Sequence, residues 1–270
     1  MDAELVKGNP CARLRRRGVE TIRRRVLTDD EIRIFWHGIT RKPVTERVGL
    51  ALRLVLLTGV RPGEAAGMAI EEIQNAQELE TAKWIIPAER SKNRRAHLVP
   101  LSDLARQTIS AALQLNGAAQ KAEIEHVFPS PSVKGSSVTE HALAVAMARY
   151  AANLEAREPN SWTKDPPTPH DLRRTVATRL AAMGTPKEDR DAILNHSPRD
   201  VGKKHYDLYD REREKRDALD AWSEAILAIL EPPTATDADD HPRTLPGHRR
   251  IVDVRLAENT PGRDVAGTPD

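Results

Sequence analysis

Apolar residues recur at helical spacing along most of this 270-residue chain, and in one stretch the pattern changes. From Lys83 to Pro100 the runs Trp84-Ile85-Ile86 and Ala96-His97-Leu98-Val99 are strand-like. They bracket a polar tip, Glu89-Arg90-Ser91-Lys92-Asn93-Arg94-Arg95. This reads as a β-hairpin with Lys92 near its basic tip. The chain shows no internal repeat. The fold class that follows is mostly α with one small β element (α+β).

Local punctuation divides the helical part. Thr28-Asp29-Asp30-Glu31 is a capping box, in which Thr and Glu satisfy each other's backbone N–H groups. The helix it opens carries Ile32, Phe35 and Trp36 on one face. A second helix is predicted from about Thr45 to Thr58, with Val48, Leu52, Val55 and Leu56 buried and Gly59 as its stop. Pro62 then suits the first position of a short helix through Glu64 to Met68. After Ser102 a helix follows with Leu104, Ile109 and Leu113 inward. Ser137-Val138-Thr139-Glu140 reads as a second capping box for a helix through about Leu154. Residues Glu158 to Pro169, holding four prolines, read as a loop. Thr168-Pro169 opens a helix from His170 to Met183, closed by Gly184. Thr185-Pro186-Lys187-Glu188 reads as a third box, leading to Leu194. A last helix, roughly Arg211 to Leu230, has Ala218, Leu219, Trp222, Ile226 and Ile229 as its apolar stripe, and Pro232-Pro233 stops it.

Composition narrows the class. Aromatics are 3% of the chain, so its core is aliphatic. A single cysteine, Cys11, excludes a disulfide scaffold and a cysteine-rich zinc site. No apolar run approaches the ~20 residues that span a bilayer, and no signal-peptide-like stretch opens the chain. The expectation is a soluble cytoplasmic protein without a membrane partner. The net charge of +2 is uneven. Residues 1–26 carry eight Lys/Arg against three acids, residues 231–270 five against eight, and residues 27–230 balance at 29 each. A neutral middle with a basic leader permits a polyanionic partner without demanding one. The leader, with like charges in blocks, reads as an extended strap, and the segment beyond Pro232 as a disordered tail.

Several polar groups stand where elements begin or end. Arg61 precedes a helix start. His170 and Arg173 lie one turn apart on one helix. Lys92 sits at the hairpin tip, His196 follows a short helix, and Tyr206 and Tyr209 precede the last helix. Singly these carry no functional weight. An arginine near a helix start is usually a solvated surface group, and a tyrosine before an amphipathic helix is more often packing than chemistry.

Their surroundings carry more. Thr58-Gly59-Val60-Arg61-Pro62-Gly63-Glu64 resembles the first signature box of the tyrosine recombinases, the phage-integrase family, and Pro169-His170-Asp171-Leu172-Arg173-Arg174-Thr175 resembles the second. Ile193-Leu194-Asn195-His196-Ser197 is similar to the histidine motif that follows it. His205-Tyr206-Asp207-Leu208-Tyr209, with Glu214-Lys215-Arg216 and Ala218-Leu219 beyond it, resembles the nucleophile segment of prophage and island integrases. Trp84 to Pro100, with Ser91-Lys92, is similar to the lysine hairpin. The boxes stand in family order over about Val26 to Leu230.

The resemblance implies the catalytic-domain fold of that family and a chemistry that suits these residue types. Cleavage of a DNA phosphodiester builds negative charge on the non-bridging oxygens. Arg61 and Arg173 would clamp them through planar guanidinium groups. Tyr206 would attack the phosphorus and form a 3′-phosphotyrosyl link. A phenol with a pKa near ~10 needs help in losing its proton, so His170 would be the base and Lys92 the acid at the leaving 5′-oxygen. His196 would bond the phosphate, and Glu64 would orient Arg61. No cofactor or metal is implied, because the arginines supply the charge. Tyr206 lies ten residues after His196 where many relatives show nine, so Tyr209 stands as the alternative nucleophile.

The resemblance also implies domain organisation and partners. Residues 1–26 look like the end of a core-binding domain and its linker, 27–230 like the catalytic domain, and 231–270 like a tail. The chain is therefore expected to lack the other half of a clamp around DNA. The implied partners are double-stranded DNA attachment sites, further subunits of a homotetramer assembled on them, and accessory DNA-bending or excision factors. The implied setting is a bacterial cytoplasm, on the nucleoid when DNA is bound. The implied activity is integration or excision of a mobile element. Type IB topoisomerases share the chemistry, and the alternative is a non-catalytic DNA-binding remnant with the same fold.

Overall fold

A computed structural model describes residues 23–117, 124–155, 160–196 and 210–231. Among these are nine α-helices and a small three-stranded antiparallel sheet. In chain order the elements are α1 (Asp29–Gly38), α2 (Glu46–Thr58), α3 (Pro62–Ala66), β1 (Ile73–Gln74), β2 (Lys83–Ile86), β3 (His97–Pro100), α4 (Asp103–Leu115), α5 (Glu140–Glu155), α6 (Ser161–Lys164), α7 (Pro169–Ala182), α8 (Lys187–Ile193) and α9 (Glu212–Leu230).

Helix α2 is the axis of the core. Leu50, Ala51, Leu52 and every residue from Leu54 to Thr58 are buried. A helix apolar on all sides has to be enclosed. It packs against α3, α4, α5, α7 and α9. The capping box of α1 forms as its sequence predicts. Glu31 N–H donates to Thr28 Oγ1 (3.3 Å), and Thr28 N–H donates to Glu31 Oε2 (3.0 Å). Leu219, Trp222 and Ile226 of α9 are buried on the domain itself, and Trp222 Nε1 donates to Leu56 O (2.8 Å).

The hairpin is present and larger than its two runs. Lys83, Trp84, Ile85 and Ile86 pair with Pro100, Val99, Leu98 and His97, and β1 adds a third strand through Ile73 opposite Trp84. Two paired residues are too short for a periodic signal, so β1 could not be read from the sequence.

Other local expectations changed. The segment read as a loop from Glu158 to Pro169 contains α6, capped by Asn160, whose Oδ1 accepts from Thr163 N–H (3.2 Å). Its Trp162 is fully buried, stacked on Phe35 (centroids 6.1 Å apart) and edge-on to Tyr150 (5.6 Å). Burial of one large ring anchors a helical turn that prolines on both sides obscure. At α5 the cap is Thr139, whose Oγ1 accepts from Ala142 N–H (3.1 Å), two residues later than the box read from Ser137. Glu140 is thereby released for another contact. At α8 the N-cap is Pro186, with no side-chain cap bond, so the box read at Thr185 does not form.

Of the basic leader, residues 23–26 are described, and there Arg23 and Arg25 are tied down. Arg25 makes paired bonds to the buried carboxylate of Glu31 (2.6 and 2.8 Å). Arg23 reaches Asp171 (2.8 Å) and Asp165 (3.2 Å). Burial alone would raise the Glu31 pKa, but Arg25 and the Thr28 N–H outweigh it and hold it below the usual range. No helix among the described residues is long and apolar enough to cross a membrane.

Candidate active site

The site forms where α2, α3, α7 and α8 end or begin and where the β2–β3 loop meets them. Gly59 ends α2 with φ +67°, a conformation that favours glycine. The left-handed turn points its carbonyl at α7, where Arg173 Nη1 donates to it (2.7 Å). Two residues on, Arg61 caps α3. Glu64, one turn into α3 and almost fully buried, accepts from the Arg61 backbone N–H (2.9 Å) and from Arg61 Nη1 (2.9 Å). One carboxylate thus fixes both ends of Arg61.

The C-terminal end of α8 holds the two arginines together. Arg173 Nη2 donates to Leu194 O (2.5 Å), and Arg61 Nη2 donates to Asn195 O (3.3 Å). The last carbonyls of a helix lack intrahelical partners and carry the negative end of its dipole, so they suit cations. Arg173 is buried. Burial first, then the neighbouring positive charge of Arg61, push its pKa down to about 10, which leaves it protonated at neutral pH.

His196 follows directly. Its backbone N–H donates to Asp191 O (2.8 Å), and its Nδ1 lies 3.2 Å from Asp191 Oδ1. The ring is half-exposed. Burial and the positive charges of Arg173 and Arg61 lower its pKa, against the opposing pull of Asp191.

Lys92 reaches this group through its neighbours. Asn195 Nδ2 donates to Ser91 Oγ (2.9 Å), and Asn93 Nδ2 donates to Asn195 O. Lys92 itself is exposed between those two clipped residues.

His170 stands apart from these contacts. It is exposed on the first turn of α7, and its Nε2 lies 3.0 Å from Glu140 Oε1 of α5. The same carboxylate presses on α3, since a Cβ built at Gly63 would fall 2.9 Å from Glu140 Oε2. Glu140 therefore lies between His170 and the helix that Arg61 caps.

Three groups escaped sequence reasoning. From the sequence Glu140 reads as part of a cap and Asn195 only as part of a motif. His97, at the start of β3, is buried with neither ring nitrogen hydrogen-bonded. Burial first, then Lys215, Arg173 and Arg61, push its pKa down to about 3. Its neighbour Lys215 of α9 is also buried, donates to Leu98 O (2.8 Å), and is pushed down to about 8 by burial. Nothing in local periodicity marks a histidine as buried beside three cations.

Tyr206 and Tyr209 lie outside the described residues. The described residues on either side of them are both tied to α8. His196 bonds Asp191, and Arg211 Nη1 donates to Asp189 Oδ1 (2.7 Å).

Comparison with known proteins adds to this geometry. The sequence matches the phage integrase family over residues 25–210, more than half of the chain. The chain belongs to the phage integrase family. The chain is 27% identical over 173 residues to prophage integrase IntA of Escherichia coli K12, covering 64% of the chain and 37% of that relative. It is 27% identical over 158 residues to tyrosine recombinase XerD of Lacticaseibacillus casei, covering 58% of the chain and 49% of that protein. The chain thus spans less than half the length of each. Among solved structures it resembles the Tn1549 transposon integrase in complex with circular intermediate DNA. The TM-score is 0.50 at 18% identity, over 76% of this chain and 66% of that one. That likeness, together with the helices and the three-stranded sheet, gives the fold as that of a tyrosine recombinase catalytic domain.

Proposed function

We propose that this integrase catalyses site-specific recombination of a mobile element, cleaving and rejoining DNA through a 3′-phosphotyrosyl intermediate. One observation carries the reading. Two arginines from helices far apart in sequence are held side by side by the consecutive carbonyls of Leu194 and Asn195 just past α8, with His196 next in line and the lysine loop clipped to the same turn. Such an arrangement is costly unless an anion is to be bound, because like charges are brought together out of water. The relatives named as a prophage integrase and a transposon integrase support the mobile-element part.

In this mechanism Arg61 and Arg173 hold the two non-bridging oxygens and stabilise the charge that grows there. Tyr206 attacks phosphorus, its phenolic proton passes to His170, and the phosphorus–O5′ bond breaks as Lys92 donates a proton to that oxygen. His196 bonds the phosphate. Glu140 steadies the His170 ring. Attack by another strand's 5′-hydroxyl reverses each step and releases the tyrosine. The partners are double-stranded attachment sites and, in the whole protein, three further copies of the subunit.

The experiment is formation of an SDS-resistant adduct on nicked DNA carrying the element's end sequence, with Tyr206→Phe and Tyr209→Phe variants alongside. Loss of the adduct in Tyr206→Phe alone is the expected result. Loss in Tyr209→Phe alone moves the nucleophile. DNA binding without an adduct overturns the enzymatic reading in favour of a DNA-binding remnant.

A further inference from the structure

We infer that Asn195 is a positioning residue that sets the placement of Lys92, tying the β2–β3 loop to the arginine pair. The inference rests on the proposed role of Lys92 as the proton donor.

Asn195 has φ +47°, a left-handed conformation that asparagine tolerates and glycine adopts without strain. The backbone requirement alone would be met at least as well by glycine. The side chain has a different use. Its Nδ2 donates to Ser91 Oγ (2.9 Å) across 104 residues of chain, and Ser91 is buried. Its carbonyl accepts from Asn93 Nδ2 and from Arg61 Nη2 (3.3 Å). One residue therefore grips the loop on both sides of Lys92 and touches the arginine. The loop itself turns tightly, with Arg94 N–H donating to Ser91 O (2.9 Å) and Arg94 also left-handed. At the base of the turn Arg90 bonds Glu72 (2.6 and 2.7 Å) and reaches Glu64 O (3.5 Å). The Asn195 amide is thus the side-chain bond that draws Ser91 itself to the turn after α8.

The test uses the full chain with Asn195→Gly, Ser91→Ala, the double variant and Lys92→Ala. Asn195→Gly keeps the left-handed backbone and deletes only the amide, so folding is preserved, which a urea midpoint checks. Two measurements follow. Backbone amide exchange over residues 89–96, without DNA, is expected to rise about five- to tenfold in each single variant. The double variant should rise no further. Single-turnover cleavage is then compared on nicked DNA with the ordinary 5′-oxygen and with sulfur at that bridging position. A thiolate leaves without being protonated, because thiol pKa values lie near ~8.5. Asn195→Gly should cut the oxygen substrate about ten- to a hundredfold more slowly and the sulfur substrate at the unmodified rate, as Lys92→Ala should.

Outcomes separate cleanly. Unchanged amide exchange in Asn195→Gly overturns the tether, whether or not cleavage is seen. Sulfur rescue of Lys92→Ala but not of Asn195→Gly overturns the positioning role alone. Failure of sulfur to rescue Lys92→Ala overturns the proton-donor reading, and the inference with it.

Discussion

Replacing Glu64 should cost far more stability than a surface carboxylate, and the geometry sets the amount. Glu64 is 4% exposed and accepts two bonds, one from the Arg61 backbone N–H and one from its guanidinium, each 2.9 Å. Loss of the backbone bond resembles loss of a helix cap, about 1 kcal/mol. Loss of the guanidinium bond removes a charge-assisted contact worth about 1.5–3 kcal/mol. Arg61, mostly buried and close to Arg173, is then left with Asn195 O as its remaining partner. Glu64→Ala should therefore destabilise the chain by about 2.5–4 kcal/mol. Glu64→Gln keeps one acceptor and should cost about half as much. Urea denaturation at pH 7 measures both, and an unchanged m-value confirms that the native state carries the effect. In a double-mutant cycle with Arg61→Ala the coupling should reach about 1.5–3 kcal/mol. A Glu64→Ala loss under about 1 kcal/mol, or a coupling near zero, would refute the claim that this carboxylate fixes the arginine.

Two further outcomes follow from the same region. His97 is neutral when folded and protonates near ~6.5 when unfolded, so its contribution is complete above that pH and is lost as the pH falls toward about 3. Between pH 6.5 and 5 stability should fall by up to about 1.4 kcal/mol per pH unit from this group, and His97→Leu, followed by urea midpoints across that range, should flatten the slope. Gly59→Ala places a Cβ 3.1 Å from Val176 and 3.2 Å from Leu194 at φ +67°. Strain and crowding should together cost about 2–4 kcal/mol in thermal or urea melts, and a neutral result would mean that the turn relaxes.

The parts of this molecule legible before folding are those whose partners lie within a few residues. Thr28 and Glu31 cap each other three residues apart, Gly59 stops α2, and Pro62 starts α3. The switch in period at Lys83 marked the hairpin, although not its third strand. Proline-rich stretches misled, because Trp162 makes α6 helical through contacts with Phe35 and Tyr150 rather than through propensity. Residue patterns also placed Arg61, Glu64, Lys92, His170, Arg173 and His196 at element ends, where side chains are free to converge.

How those side chains converge is a long-range matter. Arg173 reaches Gly59 across 114 residues, Arg61 reaches Asn195 across 134, and Asn195 reaches Ser91 across 104. Hydrogen bonds over such separations depend on how helices pack, and the packing is decided by apolar burial around α2 rather than by any local signal. The same holds for His97, buried beside cations only because β3 packs against α9, and for Glu140, freed to meet His170 once Thr139 takes the cap. Short-range chemistry in the sequence determined where elements start and stop and which residues stand at their ends. The tertiary structure decided which of those ends meet, because only a closed core brings carbonyls, carboxylates and guanidinium groups from distant segments within bonding distance.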